Sequence, residues 1–216
     1  MQLKLKLQHK AILIVLLVLF IDQFSKIWVK THMFIGEQHN ILGDWLLMMF
    51  VENEGMAFGM IFPGEFGKIF LSIFRILAAI GIGWYMINQA KKGATKGFII
   101  CIALVLAGAI GNILDGAFYG LIFGETGYSP AYIAEAFPDA GGYATFLHGN
   151  VVDMIRFKIT GYWPDWFPWV GGDYFDLFPP VFNIADSAVT VGIALLIIFQ
   201  RRFLKKKPVE EQPEAA

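Results

Sequence analysis

The stretch AILIVLLVLFIDQFSKIWVK, residues 11–30, is apolar up to Asp22 and then carries Gln23, Ser25 and Lys26 inside the same run. Roughly 20 helical residues cross about 30 Å of hydrocarbon, so this run predicts a membrane-spanning helix. Lys4, Lys6 and Lys10 precede it, as they would in a secretory signal. The run is too long for a signal's apolar core, and no small-residue cleavage site follows it. It reads as a retained helix. Asp22 and Lys26 lie four residues apart, hence on one face of that helix.

Three further runs have the same character, near 67–89, 97–118 and 180–203. The whole chain of 216 residues is 56% hydrophobic and 16% charged, with a mean hydropathy of +0.57. A soluble domain carries about a quarter charged residues. The expectation is an all-α integral membrane protein with four transmembrane helices, forming one domain over 1–207. The acidic, Pro-containing stretch 208–216 reads as a disordered cytoplasmic tail. Eleven of the 17 Lys and Arg residues fall in three clusters: 4–10, 91–96 and 201–207. Four crossings put these clusters on one side, which the positive-inside rule makes the cytoplasm. Both termini are then cytoplasmic, and the loops 31–66 and 119–179 face outward with only Arg156 and Lys158 as basic residues.

WLLMMFV, residues 45–51, is apolar but too short to span and ends at Asn53-Glu54-Gly55, which fits a strand and a turn. A small β-structure is expected on the outer side, beside a long loop. That loop contains GYWPDWFPWVGGDYFDLFPP, residues 161–180, whose Trp163, Trp166 and Trp169 suit the lipid headgroup boundary. In the third helix Ala103, Ala107 and Gly111 recur every four residues, as close helix packing requires. A net charge of −1 excludes general attraction to nucleic acid. One cysteine, Cys101, excludes a disulfide framework and a cysteine metal cluster.

Chemistry points to carboxylates. Asp22, Asp115, Asp153 and Asp186 lie in or beside the expected helices. An ionised acid within the bilayer costs a few kcal/mol by insertion scales, roughly, so such residues face a polar interior. Asp186 falls two turns inside the outer end of helix four, Asp115 one turn inside helix three, and Asp153 in the outer loop. Asp22 falls somewhat deeper. Asn112 precedes Asp115 by three residues and Asn183 precedes Asp186 by three, so each pair shares a helix face. Two carboxyls held close together cannot both ionise easily, which supplies an acid beside a base. No HExxH is present, and the four histidines (9, 32, 39, 148) are scattered, so no metal site is expected. Three of the acids also have a bland reading: Asp22 with Lys26 as a locking ion pair, Asp115 as a packing residue, Asp153 as a loop aspartate. A different class, a small transporter or channel, would string Asp22, Lys26 and Asp186 along a polar path. The inner halves of helices three and four are nearly all apolar, which opposes it.

Five segments together resemble lipoprotein signal peptidase, also called signal peptidase II, a bacterial membrane aspartic peptidase family. They are DQFSK (22–26), NEGMAFG (53–59), GNILD (111–115), VVDM (151–154) and FNIADSAVTVG (182–192), in the family's order. The resemblance implies that Asp153 and Asp186 are the catalytic pair. It further implies that Asp22, Lys26, Asn53, Gly55, Asn112, Asp115 and Asn183 shape or support the substrate pocket. The implied substrate is a prolipoprotein, cut by water with no cofactor just before a cysteine bearing diacylglycerol. The implied setting is the bacterial inner membrane, with lipid as the other partner, a monomeric enzyme and an active site facing the periplasm. Two departures stand out. Gly116 replaces the family's common Arg, so Arg75 or Arg156 is expected to take its place. The link from Asp115 to Asp153 is also much longer than usual, and is expected to serve as a lid or a lipid-surface platform.

Overall fold

With no water to bond, a backbone inside lipid must satisfy its own polar groups, and a helix does so within one segment. The computed structural model describes residues 5–54 and 65–204. Three of its helices are long and apolar enough to cross a membrane: Leu7–His32, Gly67–Lys91 and Lys96–Ile122. In chain order the elements are α1 (Leu7–His32), β1 (Gln38–Leu42), β2 (Leu46–Asn53), α2 (Glu65–Lys91) and α3 (Lys96–Leu114). A π turn, Asp115–Tyr119, carries α3 on into α4 (Gly120–Ile122). After a long connection come β3 (Val151–Phe157), β4 (Thr160–Tyr162), β5 (Tyr174–Asp176), β6 (Val181–Phe182), α5 (Ile184–Ile198) and α6 (Gln200–Leu204).

The run at 180–203 therefore departs from expectation. Pro179-Pro180 lead into a strand, and the helix proper starts only at Ile184 because Asn183 caps it. Asn183 Oδ1 accepts from the Asp186 amide (2.9 Å), and the Asp186 carboxylate accepts from the Asn183 amide (3.4 Å). This reciprocal capping box puts Asp186 in the first turn, not two turns down.

Small residues bring α5 onto α3. A Cβ at Gly108 would lie 2.2 Å from the Ala185 carbonyl oxygen, and one at Gly111 would lie 2.7 Å from an Asp22 carboxylate oxygen. Ala103 and Ala107 are buried on the same helix, as their spacing predicts. Below this level an apolar cluster that includes Val15, Met86, Ile99 and Leu106 fills the space between α1, α2 and α3.

The β-structure is larger than the predicted one. Four antiparallel strands run in the order β1-β2-β3-β6, with β3 drawn from the presumed loop. Asp153 thus lies on a central strand, opposite Val51, and not in a loop. A second apolar cluster, including Val29, Met33, Phe50, Tyr119, Phe123 and Val152, seals the sheet onto the ends of α1 and α4. The long link after Asp115 lies against the π turn. The amides of Ala144, Leu147 and Gly149 donate to the carbonyls of Gly120, Ala117 and Gly116. In the β4–β5 arm Trp166 and Trp169 are exposed while Trp163 packs on Phe167 and Phe175.

One buried ion pair knits these parts together. Lys30, at the end of α1, bonds Glu52 on β2 and the Thr126 hydroxyl (2.8 Å), and its ammonium sits over the Tyr143 ring. Asn150 then donates to Glu52 (3.0 Å) and accepts from Lys68 on α2 (3.1 Å). Removing one partner of a buried pair strands the other charge at a cost of about 3–5 kcal/mol. Glu52→Leu is expected to lower thermal stability in detergent by that order, and Lys30→Met in the same chain to restore most of it. An unchanged melting temperature in Glu52→Leu would show that the pair is not a strut.

Candidate active site

The sheet, the end of α3 and the start of α5 meet around one fully buried cation. Lys26 Nζ lies 3.0 Å from Asp22 Oδ2 and 2.8 Å from Asp115 Oδ2, and donates to Asn112 Oδ1 at 2.9 Å. All four groups sit in one layer. The second Asp22 oxygen accepts from the Ala185 amide (2.8 Å) in the first turn of α5, so Asp22 is not deeper than the rest. The displacement from expectation has a simple cause: α3 runs on to Ile122 through α4, which sinks Asp115 to the same level. Asp115 also accepts from the Val152 amide (3.3 Å), tying α3 to β3.

Lysine can only donate, so Asn112 must turn its oxygen toward Lys26 and its amide nitrogen the other way. That nitrogen donates to Asp186 Oδ1 at 2.7 Å. The Asn112 oxygen also accepts from Asn183 Nδ2 (3.2 Å), and the same nitrogen donates to Asp153 Oδ1 at 2.7 Å. Asn53, at the end of β2, donates to the other Asp153 oxygen at 3.2 Å. Asp153 and Asp186 are thereby joined through two adjacent asparagines. Asp22, Lys26, Asp115, Asn53, Asn112 and Asn183 all converge on them. Gly55 lies outside the described residues.

Burial, and then the nearby Asp186 charge, push the Asp153 carboxyl up to about 7, against the pull of its amide donors and Lys26. Asp186 is more open and lines a cavity of about 350 Å³ with Arg75 and Asn112. The walls of that cavity include Phe74, Ala78 and Val189, so it has a polar end and apolar sides. Such a layer offers a proton-holding carboxyl near a second acid, under oriented amides, at the edge of an apolar slot. That set of groups can activate water against an amide carbonyl.

Several contributors were not singled out in the sequence. Gln23 Nε2 bridges Asp115 (2.8 Å) and Asp22 (3.1 Å), and its oxygen accepts from the Tyr119 hydroxyl (3.2 Å). Its place beside Asp22 was a signal, since a second polar residue in an apolar run needs a partner. Lys30 with Glu52 had no local signal at all. Of the two arginines considered for Gly116, Arg156 is engaged with Asp176 at 2.8 Å. Arg75 lines a small cavity with Gly116 and Asn112.

Three helices long and apolar enough to cross a membrane thus carry a buried carboxylate layer capped by a sheet. Residues 14–202 match the family model described as signal peptidase (SPase) II. A lipoprotein signal peptidase of Porphyromonas gingivalis is 48% identical over 189 residues, covering 86% of this chain and 80% of that one. One from Amoebophilus asiaticus is 36% identical over 202 residues, covering 92% of this chain and 80% of its own. A bacterial membrane enzyme solved by the in meso method at 2.3 Å superposes with a TM-score of 0.59 at 26% identity, covering 94% of this chain and 95% of the other. The chain belongs to the signal peptidase II family, and is a protease.

The Asp153 value sets a stability test. With an ordinary carboxyl near 3.8 in the unfolded chain, the folded state binds the extra proton between about pH 4 and 7. Stability therefore falls across that window as pH rises, and the full cost stands above 7. Asp153→Asn, always neutral, is expected to gain up to about 4 kcal/mol at pH 8 and almost nothing at pH 4. Thermal unfolding at both values measures it, and an equal gain at both would count against the assignment.

Proposed function

We propose that this chain removes signal peptides from diacylglyceryl-modified prolipoproteins as an aspartic endopeptidase, with Asp153 and Asp186 as its acid–base pair. The observation that carries the reading is the Asn112–Asn183 bridge, which holds both carboxyls in one buried, oriented cluster. In this mechanism Asp186 takes a proton from water, and the hydroxide formed attacks the scissile carbonyl. Asp153 gives its proton to the carbonyl oxygen. Collapse of the tetrahedral carbon transfers a proton to the leaving nitrogen and returns the pair to its starting state. No cofactor is required. Asp22, Lys26, Asp115 and Asn53 keep this pair in place.

The same reading sets the membrane topology. α5 is an apolar helix of 15 residues and rises about 22 Å, less than the hydrocarbon thickness. Its first turn belongs to the buried site, so the crossing starts below the outer boundary and ends with α6 among Arg201 and Arg202. That makes four crossings, with both termini cytoplasmic and the sheet, arm and active site on the periplasmic side of the inner membrane. A signal helix enters from lipid beside the cavity between α2, α3 and α5, leaving the diacylglyceryl chains outside. The scissile bond just before the lipid-modified cysteine then meets Asp186.

Asp153→Asn and Asp186→Asn keep the shape and remove the acid–base pair. Each is expected to lower cleavage of a diacylglyceryl-modified prolipoprotein by at least about a thousandfold, within the range of acid–base contributions. A gel-shift assay on well-folded variants reads this, and substantial turnover in both would end the proposal. Arg75 is assigned the role of the missing basic contact at Gly116. Arg75→Ala should cut kcat/KM by about tenfold or more, while Arg156→Ala should act through stability. Gly116 has room for a side chain, since a Cβ there meets nothing nearer than 3.9 Å. Gly116→Arg is therefore expected to recover part of the activity lost in Arg75→Ala. Normal kinetics in Arg75→Ala would remove the assignment.

A further inference from the structure

A second cavity, of about 530 Å³, lies at the other end of the helices, where α3 begins and α5 passes into α6. Its mouth is formed by Thr95, Lys96 and Gly97 on one side and Arg202 on the other, and its walls include Ile100, Leu195 and Phe199. Thr95 holds the N-cap position of α3 but makes no capping hydrogen bond. The first-turn amides of a helix have no intrahelical acceptor, and the helix dipole is positive there. Among the described residues neither Lys96 nor Arg202 is ion-paired with an acid. Three sources of positive potential thus surround one apolar slot.

The geometry of this mouth is held from within. A Cβ at Gly97 would stand 3.0 Å from the Phe203 ring, so glycine lets α6 close against the start of α3. Phe203 also packs on Phe98 and Phe199, with ring centroids 5.8 and 6.2 Å apart. That seat places the neighbouring Arg202 at the rim. Ile100 and Phe199 remain 40% and 41% exposed along the wall. Both belong to helical runs read here as crossing the bilayer, so the slot opens sideways toward lipid at headgroup level.

We propose that this pocket is a binding site for a phospholipid with a net negative headgroup. The phosphate lies between Lys96, Arg202 and the first turn of α3, and one acyl chain runs along Ile100, Leu195 and Phe199. The choice of an anionic lipid over a neutral one follows from charge: Lys91 ends the neighbouring helix, Lys92 follows it, and Arg201 adjoins Arg202. Clustered basic residues at the end of a spanning helix attract anionic lipid. Assignment to the cytoplasmic leaflet rests on the topology proposed above, whereas the chemistry of the site does not. The bound lipid would tie α3 to the short α5–α6 segment, opposite the carboxylates.

Full-length protein in neutral detergent, titrated with phosphatidylglycerol or phosphatidylcholine and read by native mass spectrometry, tests this. Phosphatidylglycerol is expected to be retained on the order of tenfold more tightly. Lys96→Gln with Arg202→Gln should abolish that preference while prolipoprotein cleavage in phosphatidylcholine micelles stays unchanged. Leu195→Trp, which fills the slot and keeps the charges, should weaken both lipids. Equal retention of the two lipids, or a preference that survives the double substitution, overturns the site. So does complete displacement of phosphatidylglycerol by millimolar inorganic phosphate, which would mean that the apolar slot is idle. Lipid retention and cleavage are separate readouts, so failure of one reading is distinct from failure of the other.

Discussion

The ammonium of Lys26, with none of its surface exposed, constrains everything around it. A buried charge is tolerable only when paired and fully hydrogen-bonded. Lys26 meets that requirement with Asp22 from its own helix, Asp115 from the π turn and Asn112 from α3. Each partner has a second task. Asp22 holds the first turn of α5, and Asp115 holds the first residues of β3. Asn112, its orientation forced by lysine, presents its amide to Asp186. One cation therefore fixes three helices and a strand in register, and the positions of Asp153 and Asp186 follow. Glycine at 111 belongs to the same constraint, because any side chain there would occupy the space of the Asp22 carboxylate.

The sheet has a complementary role. A lone aspartate in a loop would sample many positions, but Asp153 sits on a strand paired on both sides of its length. The long link after Asp115 also buttresses this frame. Its backbone bonds the carbonyls of the π turn, and its Thr126, Tyr143 and Asn150 complete the environment of Lys30 and Glu52. The aromatic arm from β4 to β5 exposes Trp166 and Trp169.

Much of this was legible in the residues because membrane helices announce themselves by length and because a charge in an apolar run demands a partner. The pairing of Asp22 with Lys26 and the small-residue face of α3 were both read from spacing alone. The start of α5 differs from the sequence expectation for a reason that is also local. Asn183 and Asp186, three apart after two prolines, form a capping signature as readily as a shared face, and the cap is what folds. Asp153 was harder. VVDMIRF is a short strand marked by Gly149-Asn150 at its start alone, and its partners lie about a hundred residues upstream in β2 and on the far side of the arm in β6. Lys30 with Glu52 is a pairing between elements, and nothing in either neighbourhood anticipates it.

The choice of asparagine around the acids has its own logic. Four carboxyls, Asp22, Asp115, Asp153 and Asp186, share a layer with one lysine, so full ionisation would leave uncompensated negative charge in a low-dielectric setting. At least one proton must stay, and burial together with Asp186 retains it at Asp153 near neutral pH. A lysine in place of Asn183 would hold the pair as firmly, yet it would pull that proton away by stabilising the carboxylate too strongly. Neutral amides orient an acid while leaving it able to donate. Arg75, by contrast, stands in the cavity of Asp186 and not among the donors of Asp153. The two carboxyls thus sit in unlike fields within one rigid frame, and it is this difference that the proposed mechanism uses to give chemically identical side chains opposite parts in a proton transfer.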